Sequence, residues 1–159
     1  MDHKTSLTQH IAAPAEKVWA VITDIPASAA TLSGVKSIQM LTEGAYEEGT
    51  RWKETRAMMG RAETVEMWVA QSRPPSHPGG GLASTTVKAV QDGADYTTRF
   101  ALAERDGGTD LTVTFGAELL KPTRFSKAMM AVFGPLGMRI TRRALARDLA
   151  EIAAKAESL

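Results

Sequence analysis

Residues 120–159 read LKPTRFSKAMMAVFGPLGMRITRRALARDLAEIAAKAESL, and they carry the one long helical pattern of the chain. From Phe125 the apolar positions Phe125, Met129, Val132 and Phe133 follow the i, i+4, i+7, i+8 spacing of a helix face. After Gly134-Pro135-Leu136-Gly137 the stripe becomes Met138, Thr141, Leu145, Leu149, Ile152 and Ala156. At about 100° per residue the second stripe points nearly opposite the first, so a straight helix cannot bury both. Pro135 lacks an N–H and crowds the carbonyl four residues back, which predicts a break there and two helical pieces. Nearly everything earlier reads as short strands, so the expected architecture is a curved sheet wrapped on one terminal helix.

Working backwards, strand signals bounded by turn residues cover Val35 to Leu41, Thr50 to Met59, Ala62 to Ser72, Ala83 to Gln91, Tyr96 to Ala103 and Leu111 to Leu119. Asp92-Gly93 and Asp106-Gly107-Gly108 supply the positive φ of tight hairpins, which makes the last three strands a meander. The last strand places Leu111, Val113, Phe115, Ala117 and Leu119 on one side and Thr112, Thr114 and Gly116 on the other, one face dry and one wet. Thr5 to Ile11 suggests a first strand. Pro14 opens a short helix with Glu16 in its first turn and Val18, Trp19 and Ile22 facing inward. A second short helical piece covers Ala27 to Leu32. The run Pro74-Pro75-Ser76-His77-Pro78-Gly79-Gly80-Gly81 reads as a loop.

At 159 residues with 43% apolar content the chain fits a single domain with a real core. A net charge of +1, with 23% of residues charged, gives no global field for nucleic acid. Cysteine is absent, which excludes disulfides and thiol catalysis and fits a reducing cytoplasm. No run approaches the length of a transmembrane helix. His3, His10 and His77 show no paired-ligand spacing, so no metal and no cofactor is expected.

The order of one strand, two short helices, six strands and a long terminal helix is the helix-grip order of an α+β fold. Its strongest local match is Ile11-Ala12-Ala13-Pro14-Ala15-Glu16-Lys17-Val18-Trp19-Ala20-Val21-Ile22-Thr23-Asp24. This stretch resembles the opening of the START-like (SRPBCC) superfamily, in its bacterial polyketide cyclase/dehydrase branch. Gly49-Thr50-Arg51-Trp52-Lys53-Glu54-Thr55-Arg56 with Met59-Gly60-Arg61 is similar to the middle of that branch, and Arg143 to Leu149 resembles its helix end. The resemblance spans essentially the whole chain. It implies a START-like ligand-binding domain over residues 1–159, with a seven-stranded antiparallel sheet gripping the helix and an apolar cavity between them. It carries over no catalytic residue, and fold alone does not fix function.

The hairpin through Met59-Gly60-Arg61 supplies the site argument. With Met59-Gly60 or Gly60-Arg61 at the turn, Trp52, Glu54, Arg56 and Met58 share a face with Val65, Met67 and Val69, while Arg51, Lys53 and Thr55 share the other with Glu66 and Trp68. Apolar company marks the first face as inward. An inward charge costs several kcal/mol unless paired, so Glu54 and Arg56 are expected to meet each other or polar groups at a cavity floor. They would then anchor a mainly apolar ligand, with Glu54 a candidate acid/base, or form a structural ion pair. Phe125, Met129 and Phe133 would face Met58, Met67, Phe100 and Phe115, as a ligand cavity or a filled core.

Lys121, Arg124, Lys127, Arg139, Arg142, Arg143 and Arg147 lie in a stretch without acids. Arg139, Arg142 and Arg143 could dock on an anionic membrane surface or an acidic carrier protein. The alternative is a solvated helix face paired to sheet acids such as Glu63 or Glu104. The leading expectation is a cytoplasmic protein, monomer or homodimer, that binds a hydrophobic small molecule of lipid, polyketide or aromatic type, with the glycine-proline segment as a gate. A cyclase or dehydratase using Glu54, and a stress-related or chaperone-associated interaction module, are the alternatives.

Overall fold

Alternating β-branched and threonine-rich runs give strands here because each can bury one face and wet the other. The computed structural model describes residues 3–58, 60–75, 82–120 and 124–159, and only the backbone of His3, Met58 and residues 124–133. Seven strands form, β1 (His3–Ile11), β2 (Val35–Met40), β3 (Arg51–Met58), β4 (Arg61–Arg73), β5 (Ala83–Gln91), β6 (Ala94–Arg105) and β7 (Gly108–Leu119). Three helices join them, α1 (Ala15–Thr23), α2 (Ser28–Thr31) after a 3₁₀ turn at Ile25–Ala27, and α3 (Arg124–Glu157). The sheet runs β1-β7-β6-β5-β4-β3-β2, antiparallel throughout. This is the helix-grip fold expected from the element order.

Turn chemistry sets the register of the meander. Asp92 and Gly93 take φ of 51° and 76°, and Asp106 and Gly107 take 50° and 75°, so each pair closes a two-residue loop. Those left-handed angles match the twist of the flanking strands, which pairs Gln91 with Ala94 and Arg105 with Gly108. In β4 the pairing slips between Val69 and Gln71, where one extra residue forms a bulge. A bulge bends a strand, and here it falls within a 13-residue strand.

Gly108 is constrained by crowding. A Cβ there would run into the carbonyl oxygen of Ile11 and press on the His10 ring, because β7 starts directly against the end of β1. Gly108→Ala is therefore expected to lose about 1–3 kcal/mol of stability by forcing the two strands apart. Urea melts check it, and an unchanged midpoint would show that the strand ends part freely.

The core forms two clusters. In the first, Ile11, Val18, Leu102, Leu111 and Val113 meet Leu149, Ile152 and Ala156. In the second, Ile25, Trp52, Val69 and Val87 collect Ile38, Met40, Tyr46 and Met67. Side chains clamp the end of α3, since Glu151 accepts from the backbone N–H and hydroxyl of Ser33, and Glu157 from the N–H of Ala12.

The break expected at Pro135 does not occur. Helix α3 runs without interruption from Arg124 to Glu157 with Pro135 inside it. A proline removes one N–H donor, and the bonds on either side of that gap suffice to carry the helix through. The stripe after it behaves as expected only at its far end: Leu149, Ile152 and Ala156 are buried, while Met138, Thr141 and Leu145 are half-buried. Burial thus declines along α3 toward its N-terminal half. The side chains of Phe125, Met129, Val132 and Phe133, and residues 76–81 of the loop expected at 74–81, lie outside the described residues. No helix among the described residues is long and apolar enough to cross a membrane.

Candidate functional site

Strand β3 turns into β4 through Met58 paired with Arg61, which selects the first of the two turns considered for this hairpin. Trp52 pairs with Met67, Glu54 with Val65 and Arg56 with Glu63, so all six share one face. Trp52 and Val69 are buried in the second cluster, which marks that face as inward. The opposite face is wet, where Arg51 reaches Glu66 at 3.2 Å and lies 5.1 Å from the centre of the Trp68 ring.

Glu54 and Arg56 meet as their shared face requires, at 2.6 Å from Nε to Oε1. The indole N–H of Trp52 donates to the other oxygen of Glu54 at 3.3 Å. Arg56 also reaches across to α3, where its two terminal nitrogens donate to the carboxylate of Asp148 at 2.8 and 3.4 Å. The three side chains are 26%, 11% and 12% exposed for Arg56, Glu54 and Asp148. This is a partly buried ion cluster that ties the sheet to the helix.

Its charges do not cancel, because one guanidinium serves two carboxylates. Burial opposes the charge on Arg56, but Asp148 and Glu54 outweigh it and hold its pKa above the usual arginine value. For Asp148 burial dominates and raises the pKa above the ordinary 3.8, against the lowering pull of Arg56 and with Glu54 and Glu151 adding to the rise. The folded value exceeds the unfolded one, so Asp148's contribution to stability is full below 3.8 and is lost as pH climbs through the raised folded value. A ¹³C titration of the Asp148 carboxyl is expected to give a midpoint above 3.8, and a midpoint at or below it would refute the burial argument.

Farther along the same face, burial is incomplete. Val65, Met67, Tyr96, Thr98, Phe115 and Ala117 are half-buried, whereas Leu102, Leu111 and Val113 on that face are sealed under α3. Tyr96 and Phe115 stack with ring centres 5.9 Å apart. Tyr46, from the loop between β2 and β3, packs edge-on against Trp19 and places its hydroxyl 2.7 Å from that of Thr85, which donates to the carbonyl of Gln71. Burial raises the Tyr46 pKa, and the Thr85 bond lowers it less.

Among the described residues two concavities stand out. One of about 590 Å³ lies between β1 and α3, and one of about 320 Å³ lies between Ile25, Met40 and Tyr46. No three His, Asp or Glu side chains among the described residues converge as metal ligands.

The residues singled out in the sequence thus divide. Trp52, Glu54, Arg56, Met67, Phe100 and Phe115 share the inward face, where Trp52, 2% exposed, is packed into the second cluster. The side chains of Met58, Phe125, Met129 and Phe133 lie outside the described residues. Glu63 accepts from Gln91 rather than from a helix arginine. Asp148 and Tyr46 were missed by sequence reasoning. The signal for Asp148 was present, as the first acid after the basic run and next to Leu149 of the buried stripe. Tyr46 had none, because nothing local links it to Thr85.

Comparison with known proteins places this geometry in a family. A sequence model described as "Polyketide cyclase / dehydrase and lipid transport" matches residues 2–157, and the chain belongs to that family, a START-like branch. No curated protein sequence matches it. Solved structures show the fold at low identity. Zhui aromatase/cyclase from Streptomyces sp. R1128 is 15% identical with a TM-score of 0.77, over 99% of this chain and 94% of that one. A START superfamily protein from Mycobacterium smegmatis is 17% identical at 0.73, covering 98% of each chain. A point mutant of norcoclaurine synthase from Thalictrum flavum is 14% identical at 0.65, over 98% of this chain and 96% of that one.

Proposed function

We propose that the chain acts as one ligand-binding unit, holding a hydrophobic small molecule of lipid, polyketide or aromatic type between the concave face of the sheet and the N-terminal half of α3. The observation that carries this reading is the half-burial of Val65, Met67, Tyr96, Phe115 and Ala117 on a face whose other end is sealed. Apolar side chains left accessible on the inside of a curved sheet gain about 25 cal/mol per Å² when a ligand covers them, before the cost of association. Membership in a family described by polyketide cyclisation and lipid transport supports the same ligand classes.

In this reading Glu54 and Arg56 form the polar end of the site, as an anchor that orients the ligand. Both oxygens of Glu54 already accept from the chain's own Arg56 and Trp52, so a role as acid/base gains no support from the geometry.

A neutral fluorescent probe, N-phenyl-1-naphthylamine, tests the site. The wild-type protein is expected to bind it, and Val65→Trp, which projects an indole onto the inward face beside Glu54, is expected to weaken binding about tenfold with the circular dichroism spectrum unchanged. Equal binding by the two proteins would remove the concave face as the site.

A further inference from the structure

Burial along α3 falls off as it runs back from Leu149, and between it and β1 lies the groove of about 590 Å³. Its floor is apolar, from Leu7 on the inward face of β1 and Pro135 and Met138 on α3. Its wall carries Arg139, Arg142 and Arg143. Residues 119–147 contain no acid, and among the described residues none of these three arginines takes part in an ion pair. Arg142 donates to the hydroxyl of Thr5, a neutral partner that leaves its charge uncompensated.

Like charges gathered without counter-charge around an oily floor repel one another, and an anion delivered there relieves the repulsion. Guanidinium groups bind carboxylate or phosphate in a fixed fork, which makes such contacts strong and directional. Thr5 pairs across strands with Phe115, so the inner end of the groove adjoins the half-buried apolar face. Arginines at an open groove and an apolar face beside it suit a ligand with both a charged and an apolar part.

The geometry points to an anionic amphiphile as the ligand: a carboxylate or phosphate head held by Arg139, Arg142 and Arg143, and an apolar chain running inward over Leu7 and Met138 toward Phe115. This rests on the apolar-ligand reading above and adds to the polar anchor at Glu54 and Arg56 a second one, for a charged head, at the arginines.

Calorimetric titration of the full chain with decanoate, decyl phosphate, decanol and inorganic phosphate tests it. The two charged decyl compounds are expected to bind about tenfold tighter than decanol, an advantage that shrinks in high salt. In the Arg139→Gln/Arg143→Gln variant that advantage disappears while decanol binds as before. Equal affinity for decanoate and decanol would overturn the anionic head and leave the apolar site standing. Failure of every decyl compound to bind would overturn both. Inorganic phosphate matching decyl phosphate would overturn the amphiphile in favour of a plain anion site. Binding to phosphatidylglycerol vesicles, with none to the dissolved compounds, would overturn it in favour of a membrane surface.

Discussion

Arg56→Met is expected to cost about 3 kcal/mol of stability at neutral pH, because it leaves two carboxylates facing each other inside the fold with no cation between them. Glu54 and Asp148 come from β3 and α3, so the loss falls on the junction between sheet and helix. The sign with pH follows from Asp148. Its folded pKa is already raised by burial, and removing Arg56 takes away a lowering influence. Once protonated, Asp148 needs no cation, so the deficit of the variant shrinks as the solution is acidified. Adding Asp148→Asn to Arg56→Met is expected to recover much of the lost stability at neutral pH. Urea melts of the three proteins at several pH values check this. A deficit that ignores pH would mean that the guanidinium acts by packing rather than by charge.

Trp52→Ala is the second large effect, expected at about 3–5 kcal/mol. The indole is 2% exposed in the cluster with Ile25, Val69 and Val87, so its removal leaves a large cavity. Its N–H also donates to Glu54, so the two substitutions touch one network. Pairing Trp52→Ala with Glu54→Gln should therefore give a combined loss smaller than the sum of the separate losses. Guanidinium unfolding followed by the fluorescence of Trp19 and Trp68 measures it. A loss below about 1 kcal/mol would show the second cluster to be loosely packed.

Most of the sheet could be read from the residues because its signals are local. Aspartate-glycine pairs mark the two-residue loops, and period-two alternation assigns each side chain to a face. Parity across the β3–β4 hairpin puts Glu54 and Arg56 inward without reference to any contact between them. What stayed hidden depended on distant partners. Asp148 comes to Arg56 from 92 positions away, and no periodicity reports such a meeting. Pro135 misled in another way, because its local penalty is real, yet the helix absorbs one missing bond and continues. The apolar groove beside the basic run was equally invisible, since it arises from a gap between α3 and β1 rather than from either element alone.

The placement of β1 beside β7 sets an order of events during synthesis. Thr5 finds its partner only in Phe115, so β1 must wait for β7, the last of the seven strands. Such distant pairing makes folding slow, and until it happens the edge of β7 lies open to any other extended chain. Crowded expression should therefore favour aggregation through that edge, and slower translation at lower temperature should raise the soluble yield.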